Sequence, residues 1–197
     1  MKTFILLFLV SFLAMSTGAA CHNQLTMLKG TKCDSLCFFA NQIKAAKGSS
    51  GKIYQEHFFS IFPNTYTELV EVYGYNPASN SCNLYDSGMV HIIQIFFNLK
   101  YIPDSLFIER LINLSIGASW EADAVNYVQH GMIKQMETTP ELFLQKLDKR
   151  NDNEIEVFWR FYFDGPVKQD KIPAFLNKFR NTHNKQLKVI ERILMGK

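Results

Sequence analysis

Along a helix, Asp123, Asn126, Tyr127 and His130 fall at i, i+3, i+4 and i+7. One face then carries a carboxylate, an amide, a phenol and an imidazole. A carboxylate one or two turns from an imidazole orients it as a general base, so Asp123, Tyr127 and His130 are the candidate catalytic set of an exported hydrolase. Such an enzyme also needs a nucleophile. The chain has no Gly-x-Ser-x-Gly elbow, no His-Glu-x-x-His pair and no phosphate-binding glycine loop. The simpler reading makes this face a polar network in which Asp123 bonds across to a neighbouring helix or loop, and it points away from an enzyme. His57 and His91 lie among Phe and Ile at helical spacing, where a satisfied imidazole is the usual role. Cys and His are too sparse for a zinc site, and no cofactor motif is present.

The four cysteines are Cys21, Cys33, Cys37 and Cys82. Their chemistry depends on the compartment, which the first residues address. Met1-Lys2, the apolar run Phe4 to Met15, and Gly18-Ala19-Ala20 before Cys21 have the order of a secretory signal peptide over residues 1–20. The apolar run is shorter than the roughly 20 residues that cross a bilayer as a helix. The expected location is therefore outside the cytoplasm, periplasmic or anchored at the outer membrane. There, disulfides are favoured over metal binding or thiol catalysis. Cys21 directly after Ala20 also fits a lipidated N-terminal cysteine, which would tether the protein to a membrane, although Gly18 stands where a bulky aliphatic is usual. Cys33 and Cys37 sit one helical turn apart, an awkward geometry for pairing with each other, so one of them is expected to bridge to Cys82.

Charge is unevenly spread. Residues 21–166 hold 12 Lys and Arg against 16 Asp and Glu, whereas residues 167–197 hold 8 against 2. Lys178, Arg180, Lys185 and Lys188 make the last helices basic, either as a solvated face or as a surface for an anionic partner. Nucleic acid is not the expected target of an exported chain of this modest basicity. The turn-rich stretch Tyr73 to Asn83, with Tyr73, Tyr75 and Asn76 as contacts and Cys82 as a tie, reads as a binding loop. Another protein is the expected partner of these two surfaces.

The elements that must position these residues read as helices throughout. Asp34 caps a helix that ends near Gly48. Ile53 to Phe62 follows, and Asn64 caps a short helix through Tyr73. Asp86 to Lys100 reads as a buried helix rich in β-branched and aromatic residues. Pro103-Asp104 opens the next, Ser119 caps Trp120 to Met136, and Pro140 restarts the chain. Asp152 leads into an aromatic helix stopped by Asp164-Gly165-Pro166, and Ile172 to Arg180 and Asn184 to Leu194 are amphipathic. The sequence predicts one all-α domain over residues 21–197, of about eight short helices arranged as stacked hairpins. Seventeen Phe, eight Tyr and two Trp are assigned mainly to its core.

Four segments carry a resemblance: Phe58-Phe59-x-x-Phe62-Pro63-Asn64, Tyr73-Gly74-Tyr75, Trp120-x-Ala122-Asp123-Ala124-Val125-Asn126-Tyr127, and Phe161-Tyr162-Phe163-Asp164-Gly165-Pro166. Over about residues 52–166 the chain resembles a family of small uncharacterised exported helical proteins of Bacteroidetes-type bacteria. The resemblance brings no catalytic residues. It implies a bacterial envelope setting, in which small exported helical proteins often neutralise toxins from competing cells. The expectation is a non-enzymatic, protein-binding module, most concretely an immunity protein. An exported hydrolase using Asp123, Tyr127 and His130 and an envelope ligand-carrying protein are the alternatives.

Overall fold

Thr31 accepts the amide of Asp34 on its hydroxyl while the Asp34 carboxylate takes the amide of Thr31, so a reciprocal box opens helix α1, Lys32–Ala45. Asp34 is thus the third residue of the helix and not its cap. This computed structural model describes residues 31–46, 48, 50–75, 83–166 and 169–196. The signal peptide, Cys21, Asn76 and Cys82 lie outside the described residues. Helices α2 (Ser50–Ile61) and α3 (Tyr66–Tyr73) follow, the latter capped by Thr65 and not by Asn64.

The expected helix from Asp86 to Lys100 is wound in three ways. A 3-10 turn, Tyr85–Ser87, leads into a π-helix, Val90–Ile95, and a second 3-10 turn, Phe96–Asn98. Beyond it come α4 (Asp104–Ser115), α5 (Ala124–Thr138), α6 (Pro140–Leu147) and α7 (Asp152–Tyr162). Helix α7 opens with a second box, Asn151 with Glu154. Pro173 cuts the expected helix Ile172 to Arg180 down to α8, Ala174–Asn177, and α9 (Asn184–Met195) closes the fold. The domain is all-α, with no strand among the described residues.

Helix α5 is the central element, in contact with α3, α4, α6, α7 and the π segment. The aromatic residues form two packed groups on either side of it. On one side Phe58, Phe62, Tyr73, Phe96 and Phe107 are buried, with the Phe62 and Phe96 rings stacked 4.2 Å apart. Phe97 belongs to the same group, and the tip of its ring lies against Gly131 of α5. A Cβ on Gly131 would sit 2.2 to 2.6 Å from its ring atoms, so only glycine leaves room for the π segment to approach. On the other side Phe143, Phe158, Trp159, Tyr162 and Phe163 are buried, and α9 covers them.

Arg110 ties α4 to the end of α2. Its guanidinium lies 4.5 Å above the Phe59 ring and donates to the carbonyls of Phe59 (3.1 Å), Phe62 (2.7 Å) and Pro63 (3.2 Å). The last carbonyls of a helix have no partner within it, and a cation at that end also suits the helix dipole. Arg110→Met keeps the stem over Phe59 and removes the donors. It is expected to lower the unfolding free energy by about 2 kcal/mol in urea titration.

The formal sequon Asn113-Leu114-Ser115 falls within α4. Asn113 accepts from Arg150 at 2.7 Å, and Ser115 is buried with its hydroxyl on the Leu111 carbonyl. Arg150 also pairs with Glu109, which holds Lys146 at 2.9 Å, so α4 is linked by charge to α6 and the start of α7.

Candidate partner-binding cleft

Asp123 does not lie on the helix that the sequence suggested. Helix α5 begins at Ala124, and Asp123 precedes it with φ 64° and ψ −120°, the one non-glycine residue at positive φ among the described residues. Three side chains hold the 119–123 segment out of helical winding. Asp164 accepts the Trp120 amide at 2.9 Å, Tyr66 donates to Glu121 at 2.7 Å, and Tyr85 donates to Asp123 at 2.5 Å. The Trp120 ring packs against Gly165, whose φ of 130° suits glycine. Helix α7, helix α3 and the first 3-10 turn thus all fix one short turn. Strain at a residue such as Asp123 persists only where the surroundings over-determine it.

The turn forms one wall of a cleft of about 240 Å³ between α3 and the start of α5. Val70, Gly74, Tyr75, Tyr85, Glu121 and Asp123 line it. Tyr75 is 75% exposed and meets Tyr85 edge to face at 5.3 Å. The Asp123 carboxylate holds the Tyr85 phenol above its usual range, and burial followed by the bond to Glu121 does the same for Tyr66. Both phenols therefore remain neutral donors at physiological pH. Each carboxylate is gripped by one hydroxyl and keeps further acceptor capacity.

Of the three suggested catalytic residues, only Asp123 reaches this cleft. Tyr127 is half-buried and His130 exposed on α5, and among the described residues no hydrogen bond links either side chain to Asp123. The acid, phenol and imidazole are not assembled into a proton relay, because Asp123 turns to Tyr85. That is the cross-element bond the simpler sequence reading expected of it.

Tyr73, suggested as a contact on the binding loop, is fully buried and cannot touch a partner as the protein stands. Its hydroxyl lies 3.1 Å from Nδ1 of His91, which the π segment carries into the core. Burial, with a smaller effect from Lys44, pushes the His91 imidazole down to about 4, and burial pushes the Tyr73 phenol up. The pair is neutral and separates the Tyr75 cleft from a second one, about 240 Å³, lined by Cys37, Asn41, Lys44, Asp86, Ser87 and His91. Burial raises the Cys37 thiol, which is free. Cys33 is buried.

The basic C-terminal residues are exposed but largely engaged within the protein. Arg180 pairs with Glu191 at 2.5 Å, Lys185 with Asp152 at 2.6 Å, and Arg192 with Glu156 at 2.7 Å. Lys178 lies over the Phe179 ring, whereas Lys188 projects on α9. Among the described residues no three His, Cys, Asp or Glu side chains are grouped to hold a metal ion, and no helix is long and apolar enough to cross a membrane.

No protein-family model, curated protein or solved structure matches the chain. The site rests on its own geometry. Sequence reasoning missed Tyr66, Tyr85 and Glu121. The signal available was the choice of tyrosine over phenylalanine at two helical positions, since a half-buried hydroxyl needs an acceptor.

Proposed function

We propose that this protein is an exported, non-enzymatic protein-binding module of the bacterial envelope, of the immunity type that neutralises a toxin by covering it. The observation that carries this reading is the cleft. A concave, aromatic and acidic surface is held open by hydrogen bonds from three elements and has an exposed tyrosine at its edge. Rigid aromatic anchors beside a few polar groups are the features that concentrate binding energy at protein interfaces. The signal-peptide pattern, the disulfide at Cys33 and the envelope setting implied by the family resemblance support this location. Pairing of Cys33 with Cys82, and lipidation of Cys21 as a tether, belong to the same proposal.

Growth of a deletion strain beside competing strains tests it. Loss of the gene is expected to lower survival, and the wild-type gene to restore it. A deletion strain indifferent to every neighbour would overturn the reading.

A further inference from the structure

Building on that reading, we propose that the Tyr75 cleft receives the side chain of a lysine or arginine presented by the partner protein. The walls are of two kinds. Val70, Ala122, Ala124 and Val125 offer apolar surface for a methylene stem. Tyr75 and Tyr85 present aromatic rings, and Glu121 and Asp123 present carboxylates. Rings and carboxylates together favour a cation over a neutral or anionic group, because the ring faces and the acids are both electronegative.

Among the described residues no Lys, Arg or His pairs with Glu121 or Asp123, which accept instead from the neutral hydroxyls of Tyr66 and Tyr85. Residues 76–82, next to the cleft in sequence, include no basic residue. Along α7 and α9 the carboxylates are paired within the protein. Asp148, Asp152, Glu154, Glu156 and Glu191 each have a basic partner. A carboxylate pair that tyrosines position, and that no cation among the described residues neutralises, is complementary to a charge brought from outside.

The aromatic edge favours a side chain over a free small cation. Tyr75, 75% exposed, stands at the rim, where it can pack against the backbone or neighbouring side chains that carry the incoming residue. A free ammonium ion would use only the acidic end.

Amide chemical shifts of the full chain, followed during titration with Ac-Gly-Lys-Gly-NH2, Ac-Gly-Arg-Gly-NH2 and the norleucine analogue, test this. Saturable shifts at Tyr75, Tyr85 and Asp123 are expected with the basic peptides and not with norleucine. Asp123→Asn and Glu121→Gln keep the acceptor oxygens for the two tyrosines, and the double variant is expected to weaken binding at least about tenfold with folding unchanged. Added salt should weaken binding to the wild type more than to that variant. Equal shifts with norleucine, or none up to about 20 mM peptide, would overturn the proposal. So would tighter binding of tetramethylammonium than of either basic peptide, which would assign the cleft to a small cation. The function and the cleft specificity fail separately. If the double variant restores competition as well as the wild type, the immunity reading stands and the cleft has no part in it. If the peptides bind while the deletion strain is indifferent, the cleft specificity stands and the immunity reading falls.

Discussion

Trp159→Ala is expected to lower the unfolding free energy by about 3–5 kcal/mol, read as a shift of the urea midpoint. Trp159 is fully buried and packs edge to face on Phe158 (5.2 Å) and Tyr162 (5.3 Å). Removing the indole leaves a void that these rings fill only in part. The substitution also breaks a polar chain. The indole N–H donates to Oε1 of the fully buried Gln186 at 2.8 Å, and Gln186 donates to Asp148 at 2.8 Å. Asp148 lies 2.5 Å from Nδ1 of His183, so α7, α9 and the end of α6 share one network. Trp159→Phe separates the two contributions. It retains most of the apolar volume, strands the Gln186 oxygen, and is expected to cost about 1–3 kcal/mol. Equal losses in the two variants would show that the hydrogen bond, and not the packing, dominates.

Acid is expected to weaken the fold in two separable stages, the first set by His91. Its imidazole titrates at 6.5 when exposed and near 4 in the folded core, because burial disfavours the cation. Between these values the unfolded chain binds the proton and the folded chain does not. Stability is therefore full above pH 6.5, falls as pH drops toward 4, and is level below that with respect to this group. The shift corresponds to at most about 3 kcal/mol. The second stage belongs to carboxylates whose folded values are lowered. Glu68, hydrogen-bonded by Lys32 and the Asn64 amide, and Glu109, held by Lys146 and Arg150, add stability above 4.5 that is lost as pH falls through their folded values. Urea midpoints of the wild type and His91→Leu, measured from pH 7 to pH 4, isolate the first stage. The variant should be flatter across that window. Parallel curves would show that His91 is protonated in the native core.

The helical class and most element ends were legible because local signals set them. Pro103 and Pro140 stand at the starts of α4 and α6, and the aromatic run of α7 stops at Asp164-Gly165 as its composition suggests. Errors arose where a local signal had two uses. Asp34 serves equally well as a cap or as the third residue of a box, and only the amide it accepts from Thr31 decides. Pro173 permits a helix start but not the upstream turn assumed around Ile172.

The π winding left no such signal, since the β-branched and aromatic run from Val90 to Phe97 suits any buried helix. The contact that accompanies it is distant in sequence, Phe97 against Gly131. The cleft was half legible for the same reason. Asp123 stood out as the carboxylate of a polar face shared with Asn126, Tyr127 and His130. Its partner Tyr85 lies 38 positions away, and the Tyr66–Glu121 bond spans 55. No periodicity reports contacts at that separation.

The π segment also makes the chain sensitive to length at one place. Within its first turn His91 faces Tyr73, and just beyond it Phe96 stacks on Phe62. Gain of one codon between His91 and Ile95 would add a residue to a segment that is already wound wide, turning everything beyond by about 100° relative to everything before. Histidine and phenylalanine would then no longer be in phase. An indel that a surface loop absorbs would here divide the aromatic core against itself.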